Sequence, residues 1–338
     1  MGSLLIKYFF CSFFLVTVLA QAQNQCGNTS VGLEPMDELL SGTYNDSTGG
    51  MYFPQTNTRP AFHDSVGRVR ALEVAARDAN GLVNWSTGKI GVITIGMSSC
   101  QRVSWFLRDT LQSAAIQAVI NPRLVFKNCA RAGVPADEMA DTTVAYWTSI
   151  VPDSLTSAGL TSKQVGVVIF HSWLQQASRT WPAMPVSARN YFLRIARIIQ
   201  NKFPYCKQIF VFSRCYSGYA EVGSLQDEPS TYWQGYSVKW MIGAQTRYST
   251  PVDSVSYLKT RGYSGNAPWF DWLTYNWADG IATGSTARAD GLKYACADFE
   301  ENNGVHEDVG GRRKHVIRFL NKMKTDPTMT PWFLRVGK

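Results

Sequence analysis

Histidine is scarce in this chain, with four residues among 338: His63, His171, His306 and His315. They are scattered, without the close His/Asp/Glu grouping that a metal site needs, so no metal is expected. Phosphate-cradling glycine loops of either common type are missing, and no cofactor is expected. Charge is also sparse, at 17% of residues, and the one basic cluster is Arg312-Arg313-Lys314. The net charge of +8 is therefore spread out. That excludes a dedicated nucleic-acid binder, which carries a basic stripe. It leaves either a solvated basic surface or a mild attraction to acidic polymers. Beyond the first twenty residues no apolar run is long enough to cross a bilayer, which takes about 20 residues. What is present is ordinary: 45% hydrophobic residues exclude disorder, collagen and coiled coil.

The one long apolar run, Tyr8–Leu19, follows Lys7 and precedes Ala20-Gln21-Ala22. A short apolar core before an Ala-x-Ala site reads as a secretory signal over residues 1–22. The mature protein is then expected outside the cell, with no membrane partner once the signal is removed.

Cysteine and sequon counts agree with export. Without Cys11 six cysteines remain: Cys26, Cys100, Cys129, Cys206, Cys215 and Cys296. An even number in an oxidising compartment suggests disulfides. Cys206 and Cys215 flank one predicted strand of about 30 Å, too long for a bridge between them. Cys100 and Cys129 each follow a predicted strand and are the expected pair. Sequons at Asn28, Asn45 and Asn84 suggest glycosylation on a eukaryotic secretory route.

Residues 23–60 are rich in Gly, Asn, Thr, Ser and Pro and read as an irregular lead-in. From residue 61 to 338 strands and helices alternate with no linker and no repeat, which suggests one domain. The β-branched runs Lys89–Ile95 and Val165–Phe170 read as strands buried on both faces. Arg123–Lys127 and Gln208–Phe212 are further strands. Helical spacing marks Arg68–Arg77, Gln101–Ile120, Ala136–Ile150, Val186–Phe203, Tyr232–Thr246 and Gly310–Lys324. Residues 249–295 hold many aromatics without a clean period. The alternation predicts an α/β fold, a parallel sheet with helices on both faces. Sites in such sheets lie at the carboxyl ends of the strands.

Four segments beside those ends carry polar chemistry. Gly96-Met97-Ser98-Ser99-Cys100 places a serine between strand and helix, where helix N–H groups favour developing negative charge. The alternative is that Ser98 or Ser99 caps the helix. Asn128-Cys129-Ala130-Arg131-Ala132-Gly133 follows the second strand, and Gly133 would let a backbone N–H approach a ligand. His171-Ser172-Trp173-Leu174-Gln175-Gln176-Ala177-Ser178 follows the third, with His171 reading as a satisfied buried imidazole. Asn303-Gly304-Val305-His306 precedes the last helix, and a histidine there can act as general base.

In this order the residues resemble the SGNH (GDSL-type) hydrolases. Gly96-Met97-Ser98 matches the nucleophile turn, Gly133 the second block and Asn303-x-x-His306 the last. The wording is closer still to an uncharacterised secreted branch with Gly-Met-Ser at the turn. Phe212-Ser213-Arg214, Val238-Lys239-Trp240, Trp277-Ala278-Asp279-Gly280, Asp290-Gly291-Leu292, Lys324-Thr325-Asp326-Pro327 and Pro331-Trp332-Phe333 share that likeness, over roughly residues 48–334. The resemblance implies a three-layer α/β/α sandwich with a central parallel sheet, of flavodoxin-like SGNH type. It implies that Ser98 attacks an ester carbonyl, His306 takes its proton, and the Ser98 and Gly133 N–H groups hold the oxyanion.

Three departures stand out. Met97 replaces the usual Asp beside the nucleophile. The third-block Asn is absent, with Ser178 the best match and Gln176 close by. Loss of one oxyanion donor typically costs about 2.7–4 kcal/mol. Asn303 occupies the triad Asp position, where in a well-studied serine triad Asp→Asn lowers turnover about 10⁴-fold. A carboxylate from Glu300, Glu301 or Asp308, or a backbone carbonyl, is the alternative partner for the His306 ring. Among the aromatics, Trp173 and Trp181 follow the third strand and are expected to face a sugar; the alternative is that such rings are core. The expected function is therefore a secreted esterase removing acyl groups from carbohydrate. The alternatives are an impaired glycan-binding protein on the same fold, or another polysaccharide-active enzyme, such as a lyase, using His306 and a nearby Tyr or Arg.

Overall fold

In the computed structural model the described residues are 25–175, 179–221, 226–246, 267–280 and 288–335. The expected signal over residues 1–22, Gln176 and Ser178 lie outside them. The lead-in is irregular apart from a two-residue hairpin, β1 (Thr43–Tyr44) and β2 (Ser47–Thr48), turned by Asn45 and Asp46 at positive φ. Then come α1 (Ala61–Leu72), β3 (Ile90–Gly96), α2 (Ser98–Leu111), α3 (Ala114–Gln117), β4 (Leu124–Asn128) and α4 (Ala136–Met139). A π-helical turn, Tyr146–Ile150, runs into α5 (Val151–Ser157). The remainder is β5 (Val165–His171), α6 (Ala183–Lys202), β6 (Gln208–Phe212), α7 (Ser230–Thr246), β7 (Trp269–Thr274), α8 (Val309–Thr325) and α9 (Thr330–Phe333).

Strands β3 to β7 form one parallel sheet in the order β4-β3-β5-β6-β7. That is the flavodoxin-like order, with its switch point between β3 and β5. Every residue of β3, β5, β6 and β7 is buried, which is why their sequences do not alternate in polarity. Alternate side chains still go to opposite faces. Ile93, Ile95, Val168, Phe170, Ile209 and Val211 pack with Phe192, Ile195 and Ile199 of α6 and Tyr236 of α7. Val92, Val167, Ile169, Phe210 and Phe212 pack with Val103 and Leu107 of α2 and Val316 and Phe319 of α8. The result is a three-layer α/β/α sandwich. Each large apolar side chain so buried contributes roughly 1.5–3 kcal/mol.

Several expectations need correction. The first helix occupies Ala61–Leu72 rather than Arg68–Arg77. The backbone of Arg77 is instead paired with Lys89, at 3.0 and 2.9 Å. The stretch Ala136–Ile150 is broken, because the Asp141 carboxylate accepts from the backbone N–H and hydroxyl of Thr143, both at 2.8 Å. The helix over Gln101–Ile120 starts earlier, at Ser98, and is interrupted at Ser113, which is extended. β7 was hidden in the aperiodic aromatic stretch.

The expected Cys100–Cys129 bridge does not form. Cys100 belongs to the apolar cluster on one face of the sheet and Cys129 to the cluster on the other. Burial pushes both thiols up to about 12. The disulfide is Cys26–Cys296, with Cα atoms 5.3 Å apart, tying the lead-in to the segment before the last helix. Cys206 and Cys215 are free and buried.

Candidate active site

Ser98 opens α2 at the carboxyl end of β3. The tight passage needs glycine at 96, where a Cβ would lie 2.0 Å from the His171 carbonyl oxygen. The helix cap is Met97, with no side-chain cap bond, so Ser98 does not spend its hydroxyl on capping. Its Oγ lies 2.8 Å from His306 Nε2. The two residues are 208 positions apart in sequence. The first N–H groups of α2 have no intrahelical acceptor, the setting in which a helix N-terminus favours negative charge. Gly133 is exposed, at φ +78°, in the loop that Arg131 joins to the turn before Ser98 by donating its N–H to Gly96 O at 2.8 Å.

Asn303 does not touch the His306 ring. Its Oδ1 accepts from the backbone N–H groups of Val305 (2.8 Å) and His306 (2.9 Å), and its Nδ2 donates to Glu300 Oε2 at 3.2 Å. It shapes the loop and leaves His306 Nδ1 buried without a hydrogen-bond partner. None of the alternative carboxylates fills that place. Glu300 pairs instead with Arg102 and with Arg312, the latter at 2.9 Å. His306 is pushed down to about 3, chiefly by burial and further by the charges of Arg102, Arg214 and Arg312. The ring is neutral, as a base must be, and its imidazolium is poorly supported.

The other histidines have structural settings. His171 stacks on Phe212 with centroids 4.3 Å apart, and its Nδ1 lies 2.9 Å from Phe212 O. His63 sits inside α1, with Nε2 2.8 Å from Phe270 O. His315 belongs to a buried cluster that sequence spacing does not reveal. Cys215 Sγ and His315 Nε2 lie 3.0 and 3.4 Å from Glu307 Oε1, with all three ligand atoms within 4.8 Å of one another. The spacing would suit a metal, but Asn276 decides against it. Its Oδ1 accepts from Arg318, so its Nδ2 faces His315 Nδ1 at 3.1 Å. The proton of the neutral ring is then on Nε2, a donor to Glu307 and not a ligand.

Of the two tryptophans expected to face a ligand, one is closed off from solvent and the other is partly open to it. Trp173 is fully buried. Trp181 is half-buried in a ring cluster with Tyr44, Trp233, Tyr236 and Trp240. An exposed aromatic on the same face of α2 as Ser98 is Trp105, 42% exposed. Ser98, Arg102 and Trp105 follow the i, i+4, i+7 spacing of one helix face, so Trp105 lies about 10 Å along α2 from Ser98.

No family model matches the chain, and no curated protein matches its sequence. Among solved structures, a protein from Parabacteroides merdae described as a GDSL-like lipase matches with a TM-score of 0.42 at 12% identity. The match covers 69% of this chain and 95% of that one.

Proposed function

We propose that the protein is an SGNH-type serine hydrolase that cleaves esters, with Ser98 as nucleophile and His306 as general base. The observation that carries this reading is the 2.8 Å contact between Ser98 Oγ and His306 Nε2 at the start of a helix, on the carboxyl edge of a parallel sheet. Ser98 Oγ attacks the ester carbonyl carbon while its proton passes to His306 Nε2. The oxyanion is held by the Ser98 and Gly133 N–H groups. His306 returns the proton to the leaving alcohol, and water then releases the acyl group by the same steps in reverse. With no carboxylate on Nδ1, turnover is expected about 10⁴-fold below that of a complete triad.

Acylated carbohydrate is the proposed substrate, and export over residues 1–22 the proposed route. The exposed Trp105, in line with Ser98 on α2, supports this substrate class as a platform for a sugar ring. Labelling of the signal-free protein with a fluorophosphonate, followed by peptide mapping, tests the chemistry. Modification of Ser98 that His306→Ala abolishes supports the hydrolase. Folded protein that stays unlabelled yet binds glycans supports the second reading, an impaired glycan-binding protein, which the unpartnered His306 Nδ1 favours.

A further inference from the structure

We propose that Arg214 is a positioning residue of this site, its single guanidinium tying the turn that carries Ser98 to the loop that carries His306. The inference rests on the hydrolase reading. Arg214 follows β6 and is 2% exposed. Its Nη1 donates to Ser99 Oγ at 3.0 Å, one residue past the nucleophile. Its Nη2 donates to Val305 O at 3.3 Å, one residue before the base, and to Ser217 Oγ at 3.3 Å. The backbone beneath it is fixed as well: Arg214 N donates to Gln234 Oε1 at 3.1 Å, and Gln234 Nε2 reaches Ser172 O after β5 at 3.4 Å. One rigid fork therefore grips both halves of the Ser98–His306 pair from the sheet edge between them.

This arrangement costs stability. Arginine is almost never fully buried unless paired. Here the hydrogen-bond acceptors are two hydroxyls and a carbonyl, none of them charged, and Nε has no partner. A packed apolar side chain would be the more stable choice. Local rules broken in this way cluster at functional sites. Asn303 works on the same loop from the other side by holding the His306 N–H, so the two residues together replace the anchorage the imidazole lacks.

Arg214 also acts by its charge. The charged groups around His306 are Arg102 from α2, Arg214 from the end of β6, Arg312 from α8, Glu300 from the segment before the loop, where it pairs with both Arg102 and Arg312, and the buried Glu307 that follows His306 and is turned to Cys215 and His315. Arg214 is the cation of this set that Glu300 does not offset. Removing its charge should make His306 easier to protonate and raise the pH at which the base is lost.

The test compares fluorophosphonate labelling rates at Ser98 from pH 3.5 to 8 in wild type, Arg214→Met, Arg214→Lys and Ser99→Ala, with unfolding curves to confirm folding. Arg214→Met should label about 10- to 100-fold more slowly at pH 7, the cost of a misplaced pair. Its acid limb should move up by about one pH unit. Arg214→Lys should keep the wild-type acid limb and recover part of the rate, since one ammonium cannot span both acceptors. Ser99→Ala should slow labelling without moving the limb, and it carries the test if Arg214→Met fails to fold. Wild-type rates in folded Arg214→Met or in Ser99→Ala overturn the proposal. So does an equal loss in the Met and Lys variants with an unmoved limb, which is the mark of a merely structural role. Folded wild-type protein that does not label overturns the hydrolase reading and this inference with it; labelled wild type with unaffected variants overturns this inference alone.

Discussion

Two buried charge centres in this molecule are built on opposite principles. Around β7, Asp271 is wholly buried and accepts from Arg59 Nε (2.9 Å) and Nη2 (2.6 Å) and from the Tyr52 hydroxyl (2.6 Å). Arg59 also reaches Asp64 and Asp326. Burial opposes the charge on Asp326, yet the Arg59 hydrogen bond, the charges of Lys322 and Arg59 and the Thr328 N–H together outweigh it and hold that carboxyl down at about 2. Every ion there faces an opposite one. Around Ser98, by contrast, Arg214 has no carboxylate on its guanidinium and His306 Nδ1 has no partner. The first centre fastens the lead-in to the last strand of the sheet. The second leaves a guanidinium without a carboxylate partner beside Ser98, the arrangement that perturbed groups at functional sites tend to show.

Breaking each centre should have a different signature. Ser98→Ala should abolish labelling and ester turnover while leaving the unfolding midpoint nearly unchanged. Asp271→Ala takes from Arg59 its most buried carboxylate and leaves the Tyr52 hydroxyl without its acceptor, and should cost about 3–5 kcal/mol in denaturant unfolding. The fraction still folded should label at Ser98 at the wild-type rate. Removing the Cys26–Cys296 bridge with a Cys296→Ser change should cost roughly 2–4 kcal/mol by the same measurement, again without altering the chemistry of folded protein.

How much of this was legible in the sequence differs between the two centres for a physical reason. β3, β5 and β6 are runs of β-branched and apolar residues, and local pattern suffices to find them. β7 reads Trp-Phe-Asp-Trp-Leu-Thr. An acid in mid-strand looks like a loop until Arg59, 212 residues earlier, is seen to neutralise it. Ser98 and His306 were visible because strand ends and a pre-helix loop are positions that local pattern can locate. Asn303 was visible as a residue but not in its role, since only coordinates show its oxygen turned to the backbone. Trp105 is not legible as a site residue, because nothing in a linear sequence says that its helix face is the one bearing Ser98. The disulfide is not legible either, because the rule that both cysteines follow strands says nothing about which face of the sheet each side chain takes.

Two smaller effects sharpen the comparison. His63 and His171 are buried neutral and pushed down to about 4 and about 3, mainly by burial. The unfolded chain takes up a proton at each below about pH 6.5 and the folded one does not, so stability is lost as pH falls from there. Each should contribute a loss of up to about 2 kcal/mol between pH 7 and pH 5, read from urea midpoints. Trp105→Ala should raise KM for an acylated oligosaccharide a few-fold while leaving a small acetyl ester unaffected, since the side chain sits beyond the reach of a small substrate.

The central claim is that Ser98 is activated by a histidine kept neutral in a cationic pocket. The pH dependence of fluorophosphonate labelling at Ser98 in the wild-type protein, with folding followed by circular dichroism, tests it most directly. The account predicts His306-dependent labelling whose rate holds from pH 8 to near pH 4, because burial and the neighbouring arginines push His306 down to about 3. A rate that falls with a midpoint near the ordinary histidine value of about 6.5, or folded protein that takes no label, would contradict it.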